Sequence, residues 1–128
     1  MTLVQGAALA GATILGLLGV FQSLLALGVP VGRAAWGGSH RVLPARLRWA
    51  SVAAVPVLGL AAWAVLARAS LLAPGPEPAI VRLAVWVFAC YFMLNTVGNL
   101  ASKSSLERNT MTPVSTLLVL CFVVVALA

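Results

Sequence analysis

Residues 2–29, TLVQGAALAGATILGLLGVFQSLLALGV, contain no charged side chain. A helix needs about 20 mostly apolar residues to cross the hydrocarbon core of a bilayer, and this stretch exceeds that length. It is too long for the apolar core of a signal peptide, and no basic residue precedes it apart from the amino terminus, so it reads as a retained membrane helix. Three further stretches meet or approach the same length: Trp49–Ala73, Ala79–Leu100 and Met111–Ala128. Inside a bilayer only helices and closed barrels satisfy every backbone polar group. The expected fold is all-α: an up-down-up-down bundle of four transmembrane helices, at about 2–29, 44–73, 79–100 and 111–128, in one integral membrane domain over residues 1–128.

Composition agrees. The chain is 62% hydrophobic and 8% charged, against roughly a quarter charged in soluble domains. The net charge of +6 rests on only eight basic residues, and they flank apolar spans, so nucleic acid is not an expected partner. Their distribution sets an orientation instead. The loop after the first span holds Arg33, Arg41, Arg46 and Arg48, and the loop after the third holds Lys103 and Arg108, whereas the opposite side has Arg68 and Arg82. The positive-inside rule then places loops 30–48 and 101–110 in the cytoplasm and both termini outside.

Along the chain, Ala8, Ala12 and Gly16 form a small-residue face on helix one, widened by Gly11 and Gly19, of the kind through which membrane helices pack closely. Helix two is expected to start at Pro44 and to kink at Pro56, where a backbone donor is missing. APGPEP, Ala73–Pro78, is a short rigid connection that makes helices two and three antiparallel neighbours. Ser104-x-x-Glu107 has the form of a capping box, while Thr112–Pro113 suits the cap and first turn of helix four. Beyond Thr116 helix four is almost featureless and is expected to be a lipid-facing wall. Cys90 and Cys121 show no redox or zinc spacing and read as small core residues.

The chemistry-bearing residues are few. Asp is absent, and Glu77 and Glu107 lie in loops on opposite sides, which excludes a carboxylate pair for acid–base work. His40 is the single histidine and has no acidic neighbour in sequence. One histidine and two span cysteines do not make an ordinary metal site, and no nucleophile elbow, phosphate loop or cofactor motif occurs. With the spans drawn as above, none contains an acidic residue. Proton-coupled exporters usually require one, and the small multidrug exporters, which share this size and helix number, rely on a glutamate in their first helix. Gln5 and Gln22 stand in helix one here.

What remains is a polar constellation at one membrane face. Asn95, Asn99 and Ser102 share one face of helix three. They descend toward Lys103, Glu107, Arg108 and Thr110, and toward Gln22, Ser23, Arg33, Trp36, His40, Arg41, Arg46, Arg48 and Ser51 from the first two helices and their loop. Arginine forks suit phosphate or carboxylate, amides line a path without charge, and Trp36 can stack or anchor. The candidate ligand-binding set is Gln22, Arg33, Trp36, His40, Arg41, Arg46, Arg48, Asn95, Asn99, Lys103 and Arg108, a basic vestibule for an anionic lipid or small metabolite. The plainer alternative is that the arginines meet anionic headgroups, the asparagines bond across helices, and Glu107 pairs with an arginine.

The stretches AAWGGSHRVLPARLR (Ala34–Arg48) and NTVGNLASKSSLERNTMTPVS (Asn95–Ser115) resemble an uncharacterised family of small four-helix bacterial integral membrane proteins. The resemblance implies a place in the bacterial inner membrane and brings no activity, cofactor or catalytic residue with it. Three classes of function follow as expectations: a lipid- or metabolite-binding protein, an accessory subunit of a larger membrane complex, and a lipid-modifying enzyme with His40 or an arginine in the chemistry. The expected partners are membrane lipids with anionic headgroups, and a second copy or a partner subunit. No cofactor is expected.

Overall fold

Local signals set the helix ends. Thr2 Oγ1 accepts a hydrogen bond from the Gln5 N–H at 3.1 Å, and Gln5 Oε1 accepts from the Thr2 N–H at 3.2 Å, a reciprocal cap that satisfies two otherwise orphaned donors. A computed structural model describes residues 1–128 and runs this first helix, α1, over Leu3–Ala26. It is followed by α2 (Ala45–Arg68), α3 (Ala79–Leu100) and α4 (Ser105–Ala126), with no strand. Each helix is long and apolar enough to cross a membrane. Leu17, Val20, Trp63, Leu83, Leu94 and Leu120 face outward. This is the all-α, four-helix, up-down-up-down arrangement of a multi-pass membrane protein.

Three helix ends differ by three residues or more from the expected boundaries. α1 stops at Ala26 because Gly28 takes the left-handed conformation, φ +87°. The Gly28 N–H then donates to the Leu25 carbonyl and the Val29 N–H to the Leu24 carbonyl, the paired bonds of a Schellman stop. α2 ends the same way at Arg68 rather than Ala73. Here Ser70 adopts φ +58°, and the N–H groups of Ser70 and Leu71 donate to Ala67 and Leu66. α4 starts at Ser105 rather than Met111. The Ser104 hydroxyl accepts from the Glu107 N–H at 3.3 Å, so Thr112–Pro113 lies inside the helix and is not its start.

That earlier start puts Glu107 in the first turn of α4, within a helix long enough to span. The premise that no span contains an acid therefore fails.

The helices form two hairpins, α1–α2 and α3–α4. α1 packs on α4 to close one side, and the α2–α3 contact is the sparsest between neighbours. The core joins Ala8 and Leu15 of α1, Ala61, Ala64 and Val65 of α2, Val85, Ala89 and Phe92 of α3, and Leu118, Phe122 and Val125 of α4. Phe92 and Phe122 meet edge-to-face with centroids 5.2 Å apart, a favoured aromatic geometry. α4 is thus a core helix and not the expected lipid-facing wall. Its featureless apolar sequence is what a buried face and a lipid face have in common. Cys121 is buried in this core, whereas Cys90 faces outward, against the expectation that both are core residues.

α1 meets α4 at Gly11, not through the whole expected stripe. A Cβ on Gly11 would lie 3.4 Å from Cys121 Cβ, while one on Gly16 or Gly19 would meet nothing. Gly11→Leu is therefore expected to lower stability by about 1–3 kcal/mol through overpacking. Gly16→Leu should leave it near wild type, as read by thermal unfolding in detergent.

Candidate functional site

The loop after α1, residues 27–44, is built as a folded cap. The Gly32 N–H donates to the Arg41 carbonyl at 2.8 Å, pinching the loop at its base. At the tip, Trp36 is held in the left-handed region at φ +51°, a strained state for a bulky residue that costs roughly 1–3 kcal/mol. Its indole Nε1–H donates to Ser51 Oγ at 3.0 Å, and Ser51 is fully buried in α2. Next in the chain, the Gly37 N–H donates to Glu107 Oε2 at 3.4 Å. The Ser104 hydroxyl donates to the Arg33 carbonyl at 2.6 Å. Gly38, at φ +73°, sits so close to Ser104 that a Cβ would overlap the serine side chain. The loop thereby ties α2 to the start of α4.

Beneath this cap lies a cleft of about 670 Å³, walled by all four helices. Leu18, Phe21 and Gln22 enter from α1, Ala54, Val57 and Leu58 from α2, and Tyr91, Phe92, Asn95 and Asn99 from α3. Glu107, Met111, Val114 and Ser115 complete it from α4, with Trp36, Ser102 and Lys103 at the loop end. The core residues of α2 and α3, Ala61, Ala64 and Val65 on one and Val85 and Ala89 on the other, lie toward the other end of those helices. The cleft occupies the part of the α2–α3 seam they leave unfilled. At 1.5 Å per residue, Ser115 lies about 15 Å along α4 from its start. The cleft thus runs from the polar end of the bundle to about mid-depth.

The two asparagines divide their roles. Asn99 Nδ2 donates to Ser115 Oγ at 3.2 Å and to the Met111 carbonyl at 3.4 Å. Thr96 Oγ1 also donates to Ser115 Oγ, at 3.0 Å. Together they tie α3 to α4. Asn95 lines the cleft and makes no side-chain hydrogen bond within the chain. Gln22 Oε1 is buried without a partner.

Five of the eleven candidate residues therefore converge on the cleft: Gln22, Trp36, Asn95, Asn99 and Lys103. Six do not, and the cleft is not the basic vestibule expected. Arg33, Arg41 and Arg46 project from the exposed loop end. Arg48 Nε donates to the Ala26 carbonyl at 2.9 Å, where a cation complements the end of α1. Arg108 donates to the Ser102 carbonyl at 3.0 Å. His40 does not line the cleft, and its Nδ1 is buried without a partner. The anticipated pairing of Glu107 with an arginine does not form; the ion pair present is Arg68–Glu77, 2.8 Å, at the other end of the bundle. Ser115, Thr96 and Tyr91 were missed by sequence reasoning. Ser115 follows Thr112–Pro113 by one turn and was hidden when that pair was read as a helix start.

No protein family, curated protein or solved structure matches the chain.

The division between the asparagines is testable. Asn99→Leu removes the α3–α4 bonds and should cost about 0.6–2 kcal/mol. Asn95→Leu should leave the melting temperature near wild type. Equal losses in a detergent unfolding series would show that both act as glue.

Proposed function

We propose that the chain binds a membrane amphiphile in this cleft, with the polar head under loop 27–44 and an apolar chain along the α2–α3 seam. The observation that carries the reading is the cleft's gradient. Lys103, Glu107, Trp36 and Gln22 stand at its loop end, and Leu18, Val57, Leu58 and Phe92 lie deeper. Ligand sites are typically apolar concavities with a few placed polar groups. A lipid presents the matching order, its polar head at the interface and its chain in the core. Lys103 supplies one cation for a phosphate. Exposed Arg33, Arg41 and Arg46 are suited to anionic headgroups of the surrounding leaflet, each worth about 1 kcal/mol near such a surface.

In this reading the protein sits in the bacterial inner membrane, with loops 30–48 and 101–110 in the cytoplasm and both termini outside, as its charge asymmetry favours. A second reading, an accessory subunit, draws on Gly16 and Gly19, whose outward side is open to close approach.

Native mass spectrometry of gently extracted protein should show one retained lipid per chain. Ala54→Trp, which fills the cleft wall, should abolish it without lowering the melting temperature. A bare chain, or a defined complex with another subunit, would favour the accessory role. Orientation is checked with Ser39→Cys in a Cys90→Ala/Cys121→Ala background: a membrane-impermeant thiol reagent should label it only after the membrane is opened.

A further inference from the structure

Glu107 is a carboxylate 5% exposed that lines the cleft and has no ion-pair partner in the chain. Burying a charge without a counter-charge is costly. Part of that cost is offset locally: Oε2 accepts from the Gly37 N–H, and the side chain sits in the first turn of α4, where the helix dipole favours an anion. Its second oxygen, Oε1, has no donor in the chain. Gln22 Oε1 is a buried acceptor in the same cleft without a donor. The acceptors left without a donor in the cleft are therefore Glu107 Oε1, on an anionic group, and Gln22 Oε1.

We infer that the cleft selects an amphiphile with a protonated primary amine in its head, the ammonium bonding to Glu107 and Gln22 beside the Trp36 ring. This inference rests on the amphiphile-binding reading above and names the chemical class of its head. A primary ammonium has three N–H donors and no acceptor, which matches acceptors that lack donors. A quaternary ammonium carries the same charge and could use the aromatic ring, yet it has no N–H and would leave Gln22 Oε1 buried and unpaired. A purely anionic head would meet Glu107 as a like charge. A zwitterionic head fits both ends, its phosphate toward Lys103 and its amine toward Glu107. The amine has two possible sources, a lipid headgroup or a free long-chain amine.

The test reconstitutes the full chain in phosphatidylcholine nanodiscs and reads retained amphiphile by native mass spectrometry. Phosphatidylethanolamine against phosphatidylcholine of identical chains tests the lipid source. Dodecylamine against dodecyltrimethylammonium tests the free amine. In at least one pair the primary amine should be retained about tenfold or more over its methylated counterpart, the scale of one charge-assisted hydrogen bond. Glu107→Gln keeps an acceptor for the Gly37 N–H and should erase that preference. The inference is overturned if neither pair separates, or if the separation survives in Glu107→Gln. The wild-type pairs decide the matter even where the variant fails to fold. Amphiphiles retained without regard to their heads would leave the cleft reading standing and remove the amine. No retained amphiphile of any kind would remove both.

Discussion

The Ser104 hydroxyl holds the polar end of this protein together. It donates to the Arg33 carbonyl at 2.6 Å and accepts from the Glu107 N–H at 3.3 Å. One side chain thus caps α4 and anchors the loop that follows α1. The consequences spread outward from that point. Capping at Ser104 starts α4 early and carries Glu107 into its first turn. Anchoring Arg33 brings Gly37 over the same turn, so that its N–H reaches the carboxylate. Trp36, one residue before, is then directed to Ser51 of α2. Gly38 is needed because Ser104 occupies the space a side chain would take. The roof of the cleft therefore follows from local bonds around one serine, with hydrophobic burial at this end supplied by a small cluster of Leu25, Ala35 and Leu43.

Below that roof, stability is a matter of packing without a hydrophobic drive between helices. Lipid chains are as apolar as leucine, so close contact and interhelical hydrogen bonds carry the association. Gly11 lets α1 approach Cys121 and Phe122, and Phe92 stacks edge-on against Phe122. Ser115 adds a polar tie, since it accepts from both Thr96 and Asn99 while donating to the Met111 carbonyl at 2.8 Å. The same constraint explains why an unbonded Asn95 is informative. A polar amide within a span that contributes nothing to helix contact has to find its partner in a ligand, water or the membrane interface.

Much of the fold was legible because it depends on quantities a sequence displays directly. Length and hydropathy define four spans, and α3 begins and ends at the expected residues, Ala79 and Leu100. What was not legible depended on conformations with weak signatures. Gly28 ends α1 by a left-handed turn, and Gly is the usual residue for it, so that stop was readable yet outweighed by the apolar run to Val29. Ser70 does the same for α2, and serine carries no such signal. Two capping patterns competed for α4, and Ser104 prevailed over Thr112–Pro113 because loop 27–44 adds a second bond to Ser104. Which face of α4 meets the core could not be read at all, since hydrocarbon and protein interior select the same residues. The site was legible to the level of the membrane face and no further. Hydropathy puts Arg33, Arg41 and Arg46 near the loop between the first two spans, but only the path of the loop decides that they point away from the cleft.

That separation of charges follows from the physics of each place. An arginine keeps its guanidinium hydrated by extending along the membrane interface, a freedom its long stem provides. Glutamate 107 has a short stem and sits in the first turn of a helix beneath a folded loop, so it cannot follow water in the same way. The loop end consequently has a cationic outer rim and an anionic inner point, with Lys103 between them. The rim acts at long range, while the buried carboxylate acts only at contact. Electrostatic attraction of the first kind is screened within about 8 Å at physiological salt, whereas a buried charge is screened far less. The buried carboxylate is therefore the least screened charge at this end of the bundle, and the exposed Arg33, Arg41 and Arg46 around it are the most screened.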